Sequence, residues 1–237
     1  MLQGGFTTVL ATKTRDEFLS EIVRFTRGLG FDMVSAMAVV DHGIGQSDFI
    51  SVNNAPDGYQ DAYYDVASMR SDPVMQHCRR QSVPIIWDQD TYTAEGLGDL
   101  WEEQASFGFR TGVAMALHMP DGRHFALGVE RDQPLPGHRG ELTRLVADLQ
   151  LFAVHAQEAA MRVLTPPLVS VDRPSLTPRE LEVLRWTMDG KTAWEIGSIL
   201  GITERTVVLH LGNASQKLGC TNKHLAVLRA LRLGLIR

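Results

Sequence analysis

A chain of 237 residues with 44% apolar and 22% charged residues is long enough for one medium and one small domain, and its composition excludes a wholly disordered polymer. Its two cysteines, Cys78 and Cys220, form no CxxC or Cys/His spacing, which excludes a disulfide framework or a zinc finger and makes a reducing cytoplasm the expected home. The net charge of −5 argues against a nucleic-acid partner only until the chain is divided: residues 175–237 hold nine Lys/Arg against five Asp/Glu, residues 1–174 fourteen against twenty-three.

The opening segment MLQGGFTTVL lacks the basic start and long apolar run of a signal peptide, and no stretch reaches the ~18 apolar residues of a membrane span. Thr14-Arg-Asp-Glu17 reads as a capping box, and Phe18, Ile22, Phe25 and Leu29 follow at helical spacing, so a first helix should run to about Gly30. Met33 to Val40, Phe49 to Val52 and Val83 to Trp87 read as strands. Val113 to His118 and His124 to Val129 read as a hairpin across Pro120-Asp-Gly122. Helical stretches near 57–67, 73–81 and 97–107 fall between the strands, and a long helix at 138–162 closes the region. The result is an α+β fold with a mostly antiparallel sheet and helices on both faces.

Three prolines, Pro166, Pro167 and Pro174, mark residues 164–175 as a linker between a domain at 1–163 and a second at 176–237. The second domain shows helix starts in close succession. Thr177-Pro-Arg-Glu180 and Thr192-Ala-Trp-Glu195 are capping boxes, Gly190 and Gly201 stop the helices they begin, and Thr203 caps a third that runs to about Leu218. A fourth begins near Asn222 and carries Leu225, Leu228 and Leu231. Four short helices with a Gly-containing turn between the second and third form a helix-turn-helix domain.

On the third helix Val207, Leu211, Ala214 and Leu218 make an inward stripe. The opposite face offers Arg205, Leu209, Gly212 and Asn213, with Thr206, Val208 and Lys217 nearer its edges, as the DNA-binding set. Arg205 and Lys217 suit phosphate, and Asn213 suits adenine. A solvated helix face is the alternative reading of the same residues. The local excess of positive charge favours double-stranded DNA.

These residues carry a resemblance. The segment LTPRELEVLRWTMDGKTAWEIGSILGITERTVVLHLGNASQKLG resembles the DNA-binding module of LuxR-type regulators, with Glu180, Leu184 and Gly190 at the family's most characteristic positions. Val208 and Gly212 depart from it, standing where relatives often place a polar residue that contacts DNA.

The larger domain carries no GxSxG, P-loop or HExxH motif, so no catalytic residue, metal site or cofactor is expected. A phosphorylated receiver needs a lysine beside its acceptor aspartate, and the only lysine in residues 1–174 is Lys13, ahead of the first strand. What the domain does carry is an aromatic and acidic cluster: Tyr59, Tyr63, Tyr64, Asp72, Pro73, Trp87, Tyr92 and Trp101. Such a set fits either ordinary packing or a pocket for a small amphipathic molecule.

The spacing of Tyr63, Asp72, Pro73, Trp87 and Gly112 is similar to that of the acyl-homoserine-lactone sensor domain of the same family. That resemblance implies an α-β-α sandwich, a homodimer through the 138–162 helix, and a lactone signal. Asp72 would accept a hydrogen bond from the ligand amide, Tyr63 would donate to an acyl carbonyl, and Trp87 would pack on the ring. Tyr59 replaces a tryptophan usual in relatives, and Gly128 stands where many have Ser or Thr, leaving room for a bulkier chain or a 3-oxygen substituent. The ligand-binding set is thus Tyr59, Tyr63, Asp72, Trp87, Trp101, Gly112 and Gly128.

The whole implies a quorum-sensing regulator that binds a palindromic site, with RNA polymerase as a further candidate partner and no membrane. Two alternatives stay open: an orphan regulator that binds another molecule or none, and a signalling or interaction module with a vestigial DNA-binding domain.

Overall fold

The computed structural model describes residues 5–43, 46–59, 71–119, 122–165 and 175–237. The chain divides into two compact units, the first built on residues up to 119 and from 123 to 166, the second from 167 onward.

In the first unit a short 3₁₀ turn, Thr8–Ala11, precedes α1 (Arg15–Gly28). The Thr14 hydroxyl accepts from the Glu17 N–H at 3.2 Å, as a helix cap requires. The Glu17 carboxylate accepts from the Lys13 N–H, at 2.6 Å, where a full capping box would use the Thr14 N–H. Five strands follow: β1 (Met33–Gly43), β2 (Gln46–Asn53), β3 (Ile85–Trp87), β4 (Thr111–His118) and β5 (Arg123–Arg131). They form one sheet in the order β2-β1-β5-β4-β3, every neighbour antiparallel.

Side chains alternate across a strand, so the register decides which residues face which layer. Val34, Ala36, Val113, Met115, Phe125, Leu127 and Val129 belong to a core that also holds Phe18, Ile22 and Phe25 of α1. The same core holds Leu149, Phe152, Ala153, Ala156, Ala159 and Ala160 of α5 (Arg139–Val163). The alanines give that helix a narrow inner face, and Phe152 stacks on Phe25 with ring centroids 3.9 Å apart.

The other face of the sheet carries a second apolar cluster. Met33, Trp87, Ala114 and Ala116 meet Val74 and Cys78 of α2 (Pro73–Arg80), Tyr92 of α3 (Gln89–Thr93), and Tyr59 and Phe109. A further helix, α4 (Gly98–Ser106), adds Leu100 and Trp101 at its edge. Helices therefore cover both faces, and this is the α-β-α sandwich of the sequence reading. The α3 turn was not anticipated; it is only one turn long and is built by the Asp88 capping box with Thr91. The helix expected near 57–67 lies mostly outside the described residues.

The second unit holds α6 (Pro178–Met188), α7 (Ala193–Leu200), α8 (Glu204–Lys217) and α9 (Lys223–Arg232). Thr177 and Thr192 make full capping boxes, and Gly201 ends α7 in the left-handed region with φ 67°. Gly197 permits the tight turn after it: a Cβ there would lie 2.8 Å from the Ile202 carbonyl oxygen. Val183, Leu184, Ile196, Val207, Leu211, Ala214, Leu218, Ala226 and Ala230 close the core. In α9 it is Ala226 and Ala230 that face inward, while Leu225 and Leu228 are 47% and 44% exposed. Leucine spacing alone did not distinguish those two faces.

Candidate ligand pocket and DNA-reading helix

Between the outer face of the sheet and α2, α3 and α4 lies a cavity of about 120 Å³. Native cores keep few voids larger than one water, so a space of this size makes the region a candidate binding site. Its floor is the sheet, with Ser35 and Met37 from β1, Ser51 and Asn53 from β2, Ala114 from β4, and Ala126, Gly128 and Glu130 from β5. Its walls are Val74, Met75 and Cys78 of α2, together with Tyr59, Trp87, Tyr92 and Phe109. Mostly apolar walls with a few polar groups are what a ligand with a tail and a head requires.

Asp72 is the centre of the polar part. It is 1% exposed and caps α2, its Oδ1 accepting from the Met75 N–H at 2.8 Å. Pro73 at the first helical position explains the sharp start. The other oxygen, Oδ2, accepts from the Tyr92 hydroxyl at 3.0 Å and from the Gln104 amide at 3.4 Å. Burial, with Asp72 beside it, pushes the Tyr92 hydroxyl far above its ordinary range, so Tyr92 remains a donor at any physiological pH. Burial likewise raises the Cys78 thiol to about 12, with Asp72 adding to it, which leaves Cys78 an inert wall.

Trp87 is 3% exposed and meets Tyr92 edge-on, with ring centroids 5.8 Å apart. Its position depends on Gly112, the residue it pairs with across β3 and β4. A Cβ on Gly112 would lie 2.7 Å from the indole and 2.6 Å from the Val129 carbonyl oxygen. Gly112 thus clears space for Trp87 without lining the cavity itself. Tyr59 stacks on Phe109 at 4.1 Å and does line it. Trp101 does not; its indole N–H donates to the Arg110 carbonyl at 3.0 Å, at the margin of the cluster. Tyr63 falls outside the described residues. The structure therefore gathers Tyr59, Asp72, Trp87 and Gly128 at one cavity, with Gly112 supporting and Trp101 apart.

Six polar residues lining the cavity lie outside the ligand set expected from sequence: Ser35, Ser51, Asn53, Tyr92, Gln104 and Glu130. Gln104 gives no signal in sequence, being one polar residue on a short helix. Glu130 does, because β5 runs on to Arg131 and the alternation Ala126, Gly128, Glu130 carries it onto the cavity face. The expected strand ends at Val129, two residues short of the observed end.

In the second unit the outer face of α8 presents Arg205, Val208, Leu209, Gly212 and Asn213, all exposed. Val208 and Leu209 are 55% and 60% exposed and stand side by side on that face. Thr206 is half-buried, and its hydroxyl shares a hydrogen bond with the cap hydroxyl of Thr203 at 2.8 Å. Lys217 is placed differently from the reading that gave it to phosphate: its ammonium lies 2.9 Å from the buried Glu180 carboxylate and 3.3 Å from the Ser175 carbonyl. Burial acts to raise the Glu180 carboxyl, yet the Lys217 ammonium and the Thr177 backbone N–H outweigh it and hold the group below the usual carboxylate range.

A mostly apolar cavity with a few polar groups in the first unit and an exposed third helix on the second unit are the parts of a small-molecule sensor and of a DNA reader. Residues 14–160 match the model of the autoinducer binding domain, and residues 174–230 that of the bacterial regulatory proteins of the luxR family. The chain belongs to this family of transcriptional regulators. It is 34% identical to the transcriptional activator protein AnoR of Acinetobacter nosocomialis, over 96% of this chain and 95% of that protein. The fold is similar to Escherichia coli SdiA, with TM-score 0.74, 28% identity, and coverage of 97% of this chain and 94% of that one. It is equally similar to SdiA in complex with octanoyl-rac-glycerol, with TM-score 0.74, 26% identity, and coverage of 98% and 93%. The protein is a DNA-binding regulator that takes a small-molecule signal, and not an enzyme. Among the described residues no helix is long and apolar enough to cross a membrane.

Proposed function

We propose that the signal is an acyl-homoserine lactone, that Asp72 accepts the hydrogen bond of its amide N–H, and that the acyl chain fills the apolar part of the cavity. The observation that carries this reading is a carboxylate 1% exposed on the wall of a mostly apolar cavity. Tyr59, Trp87 and Gly128 complete the contact set, with Tyr63, outside the described residues, as the donor to the acyl carbonyl.

Bound DNA would be a palindromic site read by the α8 helices of a homodimer, with half-sites ~34 Å apart. Arg205 would hold phosphate, while Thr206, Val208, Leu209, Gly212 and Asn213 would face the bases. The 25-residue α5, with Val154 55% exposed, supports dimerisation through that helix. Relatives that are transcriptional activators support RNA polymerase as a further partner, and the expected site of action is the cytoplasm.

Thermal unfolding of the full chain with lactones of graded chain length tests the ligand. A rise of several degrees with one lactone supports the reading, and its loss in Asp72→Asn ties it to the carboxylate. No shift with any lactone would overturn it. A second reading, an acylated ligand with a different head group, is favoured by SdiA in complex with octanoyl-rac-glycerol; octanoylglycerol belongs in the same panel.

A further inference from the structure

We infer that Glu130 and the Trp87 indole form a second polar station in the cavity, one that takes a hydroxyl group carried by the acyl chain close to the head group. This rests on the acylated-signal reading above and specifies that signal further.

The two groups flank one backbone position. Glu130 pairs with Gly112 across β4 and β5, and Trp87 pairs with the same Gly112 across β3 and β4. Both side chains line the cavity. Both are also buried with hydrogen-bonding capacity unused: among the described residues Glu130 Oε2 and Trp87 Nε1 have no partner. A buried polar atom left unpaired costs about 1–3 kcal/mol, and native cores keep few of them. Two such atoms beside one glycine, facing one cavity, are the imprint of a missing group.

The local sequence makes room for this arrangement. A Cβ at position 128 would lie 2.6 Å from Glu130 Oε1 and 2.9 Å from the Ser35 hydroxyl, so Gly128 clears the space the carboxyl occupies. Asp72 is a separate station, since it already receives the Met75 N–H, Tyr92 and Gln104. The two stations lie at the same end of the cavity, because the Trp87 ring meets Tyr92 at 5.8 Å and the Tyr92 hydroxyl donates to Asp72 at 3.0 Å. Burial first, and Asp72 second, push the Glu130 carboxyl up to about 8, so near neutral pH it is mainly protonated.

Complementarity then selects the group. The indole offers only a donor, and the carboxyl offers an acceptor oxygen in either protonation state. A hydroxyl accepts from Trp87 and donates to Glu130 whether Glu130 carries its proton or not. A ketone accepts from Trp87 but finds a second donor only while Glu130 keeps its proton, so it loses that partner as pH rises past about 8, and an unsubstituted methylene makes neither bond. The placement beside the amide-binding Asp72 puts this substituent near the third carbon of the chain.

The test is the affinity of the full chain for three lactones of equal chain length: unsubstituted, 3-oxo and 3-hydroxy. The wild type should bind the 3-hydroxy compound about tenfold more tightly than the unsubstituted one. Glu130→Leu should abolish or invert that order, while Glu130→Gln, whose amide both donates and accepts, should keep part of it and guards against a folding defect in the leucine variant. Equal affinity of the wild type for all three, or an unchanged order in Glu130→Leu, would overturn the inference and leave the lactone reading intact. Binding of none of the three by the wild type would overturn both.

Discussion

The ammonium of Lys217, at the end of α8, sits 2.9 Å from the carboxylate of Glu180, which caps the start of α6. One ion pair thereby ties the DNA-reading helix to the first helix of its unit, and Glu180 also accepts from the Thr177 N–H at 2.8 Å. Lys217→Met should leave a buried carboxylate unpaired and destabilise the second unit by roughly 1–3 kcal/mol, the lower end reflecting the partial exposure of the ammonium. The lowered Glu180 carboxyl adds stability that is present above the ordinary carboxylate range and lost as pH falls through its folded value, so this variant should also flatten the acid limb of the unfolding curve.

DNA affinity separates Lys217 from Arg205. Arg205 is exposed and is the proposed phosphate contact, so Arg205→Ala should lower the slope of log affinity against log salt by about 1. Lys217→Met, measured at a temperature where it is folded, should leave that slope unchanged. Fluorescence anisotropy across a salt series reads both.

Asp72 has two structural duties besides its proposed ligand contact, and the choice of substitution separates them. Alanine removes the cap of α2 and leaves Tyr92 and Gln104 without their acceptor, so Asp72→Ala should lower ligand-free stability by about 2–4 kcal/mol. Asparagine caps nearly as well and retains an oxygen, so Asp72→Asn should lose less than half of that. Both should lose the ligand-induced shift, which differential scanning calorimetry resolves from the baseline change.

Gly112→Ala asks whether Trp87 needs the space beneath it. The new methyl would meet the indole at 2.7 Å and the Val129 carbonyl at 2.6 Å, and the carbonyl belongs to the sheet and cannot yield. A loss of about 1–3 kcal/mol is expected, with weaker ligand binding as Trp87 is lifted into the cavity. Trp87 fluorescence should change in the same variant.

Glu130 gives the ligand-free protein a pH signature. Its carboxyl is raised from its ordinary value to about 8, so the folded state holds a proton that the unfolded state releases. That contribution is full below the ordinary carboxylate range and is lost as pH rises to about 8. Asp72, Tyr92, Cys78 and Tyr59 share the cavity, and Tyr92 and Cys78 titrate above this window. Ligand-free stability should therefore fall between about pH 5 and pH 8, and Glu130→Gln should remove most of the slope, measured by urea unfolding at each pH.

Much of this was legible in the chain because it rests on local chemistry. The capping boxes at Thr177 and Thr192 and the glycine at position 201 write the second unit almost helix by helix, and the long helix expected at 138–162 is α5. Asp72 followed by Pro73 is a helix start in local chemistry, whereas its place in a ligand site is implied only by the family resemblance. Less legible were contacts that depend on register and distance. The Trp101 indole finds the Arg110 carbonyl, which spacing cannot show, and Lys217 meets Glu180 across 37 positions of chain. Glu130 falls beyond the strand end expected at Val129, two residues short of the observed end, and the inward or outward sense of a strand is fixed only by its pairing.

The central claim is that a signal held at Asp72 governs DNA binding by α8, and the direct measurement is the affinity of the full chain for a DNA site it selects, with and without the best lactone. The account predicts at least a tenfold gain in affinity with lactone, absent in Asp72→Asn. Equal affinity with and without a lactone that demonstrably binds would contradict it.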